Sequence, residues 1–446
     1  FRKGHSTISL LHILETIIHN ATTAKKEVII IQADVAKAFD KIDREALASF
    51  VEQIIKPCSP EAAAFIKHMY DGDEVVLQHG EETSHIQILS GIRQGDPLSP
   101  ALFSALLGHI LAPLIAEWKR KGWGVELNQD QPLIKITILA YADDVTILAA
   151  NEPQACVMIK EIADALAGIN LQLLPQKCSA LSSTTPNGPK SSKIKLGDIR
   201  IPIAAELTIL GQEVAFRGDS MHSLKHRIRQ AWKTAQSNID LLRSTKTSHT
   251  KRLSLLQALV KPSVLYGCET WKLTPGMIAK IISTERTFTR WCLRKTNRHI
   301  TPEIPEEEDE GMIAWIRWRA TSAREIARTM SKGKIERWHV TALRMHWQWA
   351  GHAARRSDTY NHSAATAHIK PAGRGRPPPH WSQLLRNFST QELRGPPNQW
   401  EILAQDRAEW NTFADIFIQF VETHNLRSDT RATLARDSMA SRIEET

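Results

Sequence analysis

Short apolar runs separated by polar turns in the first half of the chain predict β-strands. Residues 28–34 are apolar and β-branched, which predicts a buried strand that ends in Asp34. Residues 136–140 and 145–149 are two similar runs on either side of Tyr141-Ala142-Asp143-Asp144, as in a β-hairpin. The pattern therefore predicts a strand-borne carboxylate and a turn with two adjacent carboxylates.

Apolar residues recur at three- and four-residue spacing elsewhere in the chain, which is the pattern of amphipathic helices. The segments that show it are 221–244, 248–266 and 275–298, and helices are also predicted over 43–55 and over the apolar stretch 101–115. One stripe consists of Leu224, Ile228, Trp232, Ile239 and Leu242. Residues 302–310 are rich in proline and acidic side chains and predict a solvated linker. A further, mostly helical region is expected from residue 311 onward.

Two adjacent aspartates at a tight turn are costly, because each negative charge raises the free energy of ionising the other. A bound cation removes that cost, and carboxylate oxygens are ligands that Mg²⁺ prefers. For the turn alone, a solvated hairpin tip explains the pattern as well as a metal site does. Between the acidic positions lies a loop punctuated by glycine and proline, Ser90-Gly91-Ile92-Arg93-Gln94-Gly95-Asp96-Pro97-Leu98-Ser99-Pro100.

These elements, in this order, resemble the reverse transcriptase of non-LTR (LINE-type) retrotransposons. Asp34–Phe39, Gly91–Pro100 and Tyr141–Asp144 resemble the first three catalytic motifs of that family. Residues 168–170 with Lys177-Cys178 resemble the fourth motif, and residues 208–211 resemble the primer grip. Residues 1–7, residues 265–271 and the Trp-rich tail resemble segments that flank the polymerase core in that family. The resemblance covers nearly the whole chain.

The resemblance implies a nucleotidyltransferase that copies an RNA template into DNA with two Mg²⁺ ions, Mn²⁺ being an alternative. Asp34, Asp143 and Asp144 are expected to hold the ions, and the Val35 carbonyl would add an oxygen ligand. Asp40 and Asp43 are competing acids nearby, but acids that open a helix are favoured there by its dipole.

The nucleotide pocket implied by the resemblance uses four further residues. Phe39 would lie beneath the incoming sugar and exclude a 2′-hydroxyl, although a core phenylalanine is the alternative. Gln94 and Gly95 would shape the pocket floor. Lys177 would steer or protonate the departing pyrophosphate, although a solvated lysine is nearly as plausible.

Two further binding sites are expected outside this pocket. The resemblance places a primer grip at Leu210 and Gly211. The Gly-Arg-Pro-rich segment 373–379 would insert Arg374 and Arg376 into a DNA minor groove, or else form a flexible connector.

Charge is distributed unevenly along the 446 residues, whose net charge is +9. Residues 1–215 carry 20 lysines and arginines against 25 acids, and residues 216–446 carry 37 against 23. Eleven of the 13 tryptophans also lie after residue 216. Basic side chains neutralise phosphates and aromatic rings stack on bases, so the second half is predicted to hold nucleic acid. Helical spacing nevertheless predicts that more than half of these tryptophans are buried.

Several absences restrict the function. The five cysteines are scattered, so no zinc site or disulfide framework is evident, and a reducing intracellular compartment is expected. No segment is expected to span a membrane and no signal peptide is visible. The resemblance implies a nuclear protein with a cytoplasmic ribonucleoprotein stage; the oligomeric state is left open.

The chain begins with Phe1 and is expected to be a fragment. In the family it resembles, an endonuclease and the basic strands that clasp the triphosphate come before residues 1–7. A weak or inactive polymerase is therefore expected from this chain alone.

The predicted fold class is α+β with a right-hand polymerase arrangement. Partial fingers and a palm with an antiparallel sheet backed by helices occupy 1–215, a helical thumb 216–300, an acidic linker 301–310, and a basic Trp/Arg-rich helical region 311–446. The expected partners are an RNA template, a DNA primer or target, and dNTP. An RNA-dependent RNA polymerase, which shares the acid pair, is disfavoured by Phe39 and the Gln94–Pro97 loop. A nucleic-acid-binding remnant without catalysis is disfavoured by the three intact aspartates.

Overall fold

The computed structural model describes residues 6–72, 74–128, 134–186, 194–217, 220–295, 308–356, 359–367, 380–432 and 434–435. The chain folds into two compact units, and the main segment of the first ends at Arg217. This division lies two residues after the boundary that composition and motifs suggested.

The first unit mixes helices and strands. In chain order these are α1 (Thr7–Ala24), β1 (Ile29–Ala33), α2 (Ala38–Lys41), α3 (Arg44–Phe50), α4 (Pro60–Tyr70), β2 (Glu74–His79), β3 (Glu82–Gln87), α5 (Ser99–Arg120), β4 (Val125–Glu126), β5 (Lys135–Ile136), β6 (Ile138–Tyr141), β7 (Asp144–Ala149), α6 (Glu152–Ala167), β8 (Ser179–Ser182), β9 (Lys195–Leu196), β10 (Ile199–Arg200), β11 (Leu207–Ile209) and β12 (Gln212–Val214). A π-helical segment, Val51–Ile55, continues α3. The strand predicted over 136–140 is interrupted at Thr137.

A four-stranded antiparallel sheet organises this unit, with strand order β6-β7-β1-β8. β1 is central and apolar on both faces, because helices or loops cover it on each side. One face packs against α5 and α6 in a single buried cluster that includes Ile31, Ile147, Leu106 and Ile162. The predicted α+β architecture, a small antiparallel sheet backed by helices, is therefore confirmed.

Helix α5 corrects one expectation from the sequence. It has 22 residues and is, among the described residues, the one helix long and apolar enough to cross a membrane by length and composition. The pattern over 101–115 underestimated its length. Core helices pass the same test, and Phe103, Leu106 and Trp118 of α5 are buried in this unit. The finding is thus weak evidence for a membrane span.

The second unit is helical in its described part. Its helices are α7 (Ser220–Ser237), α8 (Ile239–Leu242), α9 (His249–Leu259), α10 (Lys261–Leu265), α11 (Pro275–Cys292), α12 (Glu308–Lys332), α13 (Trp338–Arg355), α14 (Thr359–Thr366), α15 (Gln383–Gln391), α16 (Gln399–Leu403), α17 (Arg407–Thr412) and α18 (Ala414–Phe420). A short 3-10 helix, Cys268–Thr270, and a π-helix, Val421–Asn425, complete it.

Helices from both sides of the predicted linker belong to this second unit. Glu285 of α11, with 1% of its side chain exposed, accepts hydrogen bonds from Arg337 Nε at 2.7 Å and from the Trp338 backbone N–H at 3.1 Å. Of the predicted linker, 301–307 lie outside the described residues and 308–310 begin α12. Acidic residues are favoured in a first helical turn, which explains why this acid-rich stretch is partly helical.

Most tryptophans of the second unit are buried, as predicted. The seven are Trp271, Trp338, Trp347, Trp349, Trp381, Trp400 and Trp410. Trp347 of α13 stacks on Trp410 with ring centroids 3.6 Å apart and an interplanar angle of 5°. These rings hold the helical unit together, so they are not surfaces on which bases could stack.

Candidate active site

The sheet brings Asp34 and Asp144 to the same edge. β1 pairs with β7 so that Ala33 lies opposite Val145, Asp34 directly follows β1, and Asp144 is the first residue of β7. Because the strands are antiparallel and in register, the two carboxylates come from neighbouring strand ends. Asp143 lies in the turn just before β7.

The turn between β6 and β7 has two residues, Ala142 and Asp143, closed by the pair Tyr141 and Asp144. Ala142 has a φ of +52°, which a residue with a Cβ seldom adopts. Two-residue hairpins need positive φ at their first central position to match the strand twist. The backbone thus accepts local strain of about 1 kcal/mol to hold the two aspartates at this edge.

Asp144 is affected by the two neighbouring carboxylates. The pKa of Asp144 is raised, first by partial desolvation and then by the negative charges of Asp143 and Asp34. Within the described part of the chain the three side chains are near neighbours, yet they are not gathered within 4.8 Å as ligands of a single ion would be. Like charges repel one another. A partly desolvated carboxylate with two further carboxylates beside it fits a divalent-ion site.

The segment that resembles the fourth motif is fixed to Asp34. The Leu174 N–H donates to the Asp34 carbonyl at 2.9 Å, and the Ala36 N–H donates to the Gln172 carbonyl at 2.8 Å. These bonds do not use the Val35 carbonyl. They bring Lys177 Nζ to 3.9 Å from Asp34 Oδ1, although both side chains are largely solvated. The structure thus places Lys177 at the carboxylate edge.

The glycine-punctuated loop packs on the residues that follow Asp34. The Gly91 N–H donates to the Ile42 carbonyl at 2.8 Å and the Ile92 N–H to the Phe39 carbonyl at 2.7 Å. Gly91 has a φ of +88°, and a Cβ there would lie 2.7 Å from the Asp40 carbonyl oxygen. Glycine is needed here because the backbones meet so closely.

Two of the acids near the site have structural partners. Asp43 caps α3 by accepting from the Glu45 and Ala46 N–H groups at 2.7 and 3.1 Å, as expected of an acid that opens a helix. Gln94 Nε2 donates to Asp40 Oδ1 at 2.7 Å. The link between Gln94 and Asp40 was not foreseen.

Phe39 is half-buried and stacks on Phe103 of α5, with ring centroids 4.7 Å apart. The ring is therefore partly exposed to solvent, and its contact with Phe103 connects α5 to the segment that carries Asp34. This position accommodates both a packing role and contact with a bound sugar.

The hairpin β11–β12 lies beside the aspartate turn. Its two-residue turn, Leu210-Gly211, has φ values of +48° and +76°, the pattern of a type I′ hairpin. Leu210 lines a small pocket together with Tyr141, Asp144 and leucines of α1. The predicted primer-grip residues are thus adjacent to the predicted catalytic turn.

Sequence reasoning missed Arg44, and it gave Cys178 no role beyond its place in the fourth motif. Arg44 Nε donates to the Gly91 carbonyl at 2.7 Å, and its guanidinium lies 4.6 Å from the ring centre of Tyr70. A positive charge in the first turn of a helix interacts unfavourably with the helix dipole. The position of Arg44 at the start of α3 was therefore the sequence signal that its side chain has a specific partner. Cys178 is buried next to Asp34, and burial raises the pKa of its thiol.

Arg374 and Arg376, predicted to contact DNA, lie outside the described residues.

Known proteins give an independent comparison. The family model described as "Reverse transcriptase (RNA-dependent DNA polymerase)" matches residues 1–214. The chain is 23% identical to the Pol polyprotein of the type-1 retrotransposable element R2 of Popillia japonica, over 66% of this chain and 40% of that protein. It is 24% identical to the probable RNA-directed DNA polymerase from transposon BS of Drosophila melanogaster, over 63% of this chain and 30% of that protein. The chain thus spans less than half the length of either relative.

Among solved structures, a telomerase from Candida tropicalis in complex with a fragment of telomeric RNA aligns with 81% of this chain and 52% of its own. The identity is 12% and the TM-score is 0.37. A similarity of this size supports no inference about the present chain.

Proposed function

We propose that this chain, whose residues 1–214 match the reverse transcriptase family model, is the RNA-directed DNA polymerase part of a LINE-type retroelement. The observation that carries this proposal is that Asp34 and Asp144 lie on adjacent strand ends with Asp143 beside them, and that the pKa of Asp144 is raised by partial desolvation and by the charges of the other two. The reaction is attack of a primer 3′-hydroxyl on the α-phosphate of a dNTP, with pyrophosphate leaving.

The three aspartates would hold two Mg²⁺ ions, or Mn²⁺, with the Val35 carbonyl as a further ligand. Bound ions of this kind stabilise the charge that develops on the attacking and leaving oxygens. The protein itself supplies positioning. The strained turn at Ala142, the Leu174 N–H bond to the Asp34 carbonyl and the Ala36 N–H bond to the Gln172 carbonyl would hold the carboxylates in position.

Phe39 would select deoxynucleotides. Its ring stacks on Phe103, and the Ile92 N–H bond to the Phe39 carbonyl fixes its backbone, so the ring would resist displacement. A 2′-hydroxyl would collide with a fixed ring, which discriminates against ribonucleotides by repulsion. Phe39→Val should therefore raise ribonucleotide incorporation, and unchanged sugar discrimination would remove Phe39 from this role.

Gln94, Gly95 and Lys177 would contact the nucleotide. Gln94 Nε2 donates one N–H to Asp40, so the amide oxygen and the second N–H would be the groups that meet a substrate. Lys177, whose Nζ lies 3.9 Å from Asp34 Oδ1, would meet a triphosphate and donate a proton to departing pyrophosphate.

The template and primer would be bound by the Leu210-Gly211 turn and by the basic second half of the chain. The excess of 37 basic over 23 acidic residues after position 215 suits a phosphate backbone. DNA synthesis at a chromosomal target also accounts for the proposed nuclear location.

The direct test is primer extension on an RNA template with Mg²⁺, comparing the wild type with Asp143→Asn and supplying dNTP or rNTP. We expect weak DNA synthesis that Asp143→Asn lowers by at least about 100-fold. Preferential use of rNTP would instead indicate an RNA polymerase, and activity that survives Asp143→Asn would refute the assignment.

Mn²⁺ binding provides a second readout that does not depend on turnover. Because partial desolvation and like charges raise the pKa of Asp144, its carboxyl ionises at higher pH than an ordinary aspartate. Mn²⁺ affinity should therefore still be rising at a pH where ordinary aspartates are already ionised. Asp143→Asn removes one of the charges, so it should weaken binding and shift this rise to lower pH. Wild-type protein that binds no Mn²⁺ would contradict the proposed site.

A further inference from the structure

Gln32 lies in β1, a central strand of the four-stranded sheet, two positions before Asp34. Successive side chains of a strand point to opposite faces of the sheet, so residues two positions apart share a face. The neighbouring Ile31 belongs to the buried cluster that packs against α5 and α6. The side chain of Gln32 therefore points to the other face of the sheet, where it is only partly buried.

The strands on both sides of Gln32 present polar residues next to it. The register places Thr146 of β7 and Ser179 of β8 opposite Gln32. Directly opposite residues of an antiparallel pair have their side chains on the same face, so these three form a polar row across the sheet. The row centred on Ile30, two positions earlier, is apolar and buried. A polar row beside a buried apolar one needs hydrogen-bond partners in the layer that covers it.

The β11–β12 hairpin supplies such a partner. Gln32 Nε2 donates to the Thr208 carbonyl of β11 at 3.0 Å. In a hairpin with a two-residue turn, the pair that closes the turn, here Ile209 and Gln212, is hydrogen-bonded, and the next pair is not. Thr208 belongs to that next pair, so its carbonyl points away from β12 and needs another donor. The Gln32 amide is that donor.

A second bond holds the other strand of the hairpin. Gln212 of β12 is fully buried and donates from Nε2 to Glu15 Oε1 of α1 at 3.0 Å. The hairpin is thus anchored through β11 to β1 and through β12 to α1. Its turn lies between the two anchors, and Leu210 of the turn shares a small pocket with Thr146 and Asp144. The position of the turn beside the aspartates therefore depends on these two anchors.

We propose that Gln32 is a positioning residue for the primer, because its amide fixes β11, and with it the turn Leu210-Gly211, relative to Asp34. This inference rests on the proposed polymerase function, in which that turn holds the primer. Gln32 lies two positions before Asp34 and Thr208 two positions before Leu210, so one hydrogen bond links the proposed metal ligand to the primer grip by a short path. A grip that is ordered before the primer arrives loses less entropy on binding, and it aligns the 3′-hydroxyl for attack.

The first measurement is hydrogen exchange of residues 207–214 in the full chain, which needs no substrate. Gln32→Met keeps the length of the side chain and removes the donor, so these amides should exchange about fivefold faster, the effect of losing one hydrogen bond. Gln154→Met is the matched control and should leave exchange at 207–214 unchanged. Gln154 is also half-buried and accepts from the Ala150 and Gly124 N–H groups at 2.7 and 3.4 Å, but it lies on α6, at the opposite face of the sheet.

The second measurement is primer extension on an RNA template with the same variants. Gln32→Met should raise the KM for primer–template about fivefold and leave the KM for dNTP within about twofold, because the grip meets the primer and not the nucleotide. Gln154→Met should change neither value. A loss of folded protein lowers the rate but leaves both KM values unchanged, so the KM for primer–template separates positioning from stability.

The outcomes distinguish this inference from the proposed function. Equal exchange at 207–214 in the Gln32 and Gln154 variants would overturn the anchoring, and an unchanged KM for primer–template in Gln32→Met would overturn the positioning role. Wild-type protein that extends no primer would refute the proposed function and the positioning role with it, whereas the exchange comparison would still decide whether Gln32 anchors the hairpin. Gln32→Glu, whose carboxylate has the same shape and cannot donate, replaces Gln32→Met if circular dichroism shows that the latter is unfolded.

Discussion

Gly91 and Gly95 offer a controlled measurement of how closely the loop approaches the first catalytic segment. Both have a φ of +88°, so replacement by alanine carries the same backbone cost, about 1–2 kcal/mol. The surroundings differ. At Gly95 no atom lies within 4 Å of an added Cβ, whereas at Gly91 the Cβ would lie 2.7 Å from the Asp40 oxygen and 2.9 Å from the Phe39 oxygen.

The atoms near Gly91 cannot yield cheaply, because they are backbone atoms. Moving the loop away would stretch the bonds from Gly91 to Ile42 and from Ile92 to Phe39, each contributing about 1 kcal/mol. We therefore expect Gly91→Ala to lower the free energy of unfolding by about 2 kcal/mol more than Gly95→Ala does.

The assay is urea unfolding followed by hydrogen exchange in β1 and β7, which reports on the first unit alone. Intrinsic tryptophan fluorescence would be less suitable, since 11 of the 13 tryptophans lie after residue 216. Equal destabilisation by the two substitutions, within about 0.5 kcal/mol, would show that the close approach at Gly91 does not constrain the loop.

Three further outcomes are expected. Glu285→Gln should destabilise the second unit by about 3 kcal/mol in thermal unfolding, because Glu285 is the buried partner of Arg337. The control Glu325→Gln should cost less than about 1 kcal/mol, because its ion pair with Lys295 is exposed. Similar losses of stability in the two variants would contradict the burial argument. Gly108→Ala in α5 should stabilise the first unit by about 0.5–1 kcal/mol, since the added methyl meets no atom within 4 Å, and a destabilisation would mean that this face is covered. Lys177→Gln should tighten Mn²⁺ binding about threefold in calorimetry, because an ammonium next to Asp34 competes with a metal cation. Unchanged affinity would exclude that competition.

The local pattern of the chain was sufficient to predict the strands and the positions of the candidate acids along them. β1 and β7 are apolar, β-branched runs, and the turn between β6 and β7 follows from its position between two such runs. Asp34 at a strand end and Asp143-Asp144 at a turn are positions along the chain, so they are visible without any three-dimensional information. The same holds for Asp43, whose capping role depends only on the next three residues.

The tertiary structure alone decided which distant residues meet. Gln94 and Asp40 are hydrogen-bonded across 54 positions, and Arg44 reaches the Gly91 carbonyl across 47. Such contacts depend on how the loop folds over α2 and α3, which no periodicity encodes. They exist because backbone groups next to a buried strand must find partners wherever the packing places them. Composition linked the tryptophans to nucleic-acid binding, whereas the tertiary structure places Trp347 and Trp410 in the core, stacked on each other. Burial of such large rings stabilises a helical unit more than their exposure does.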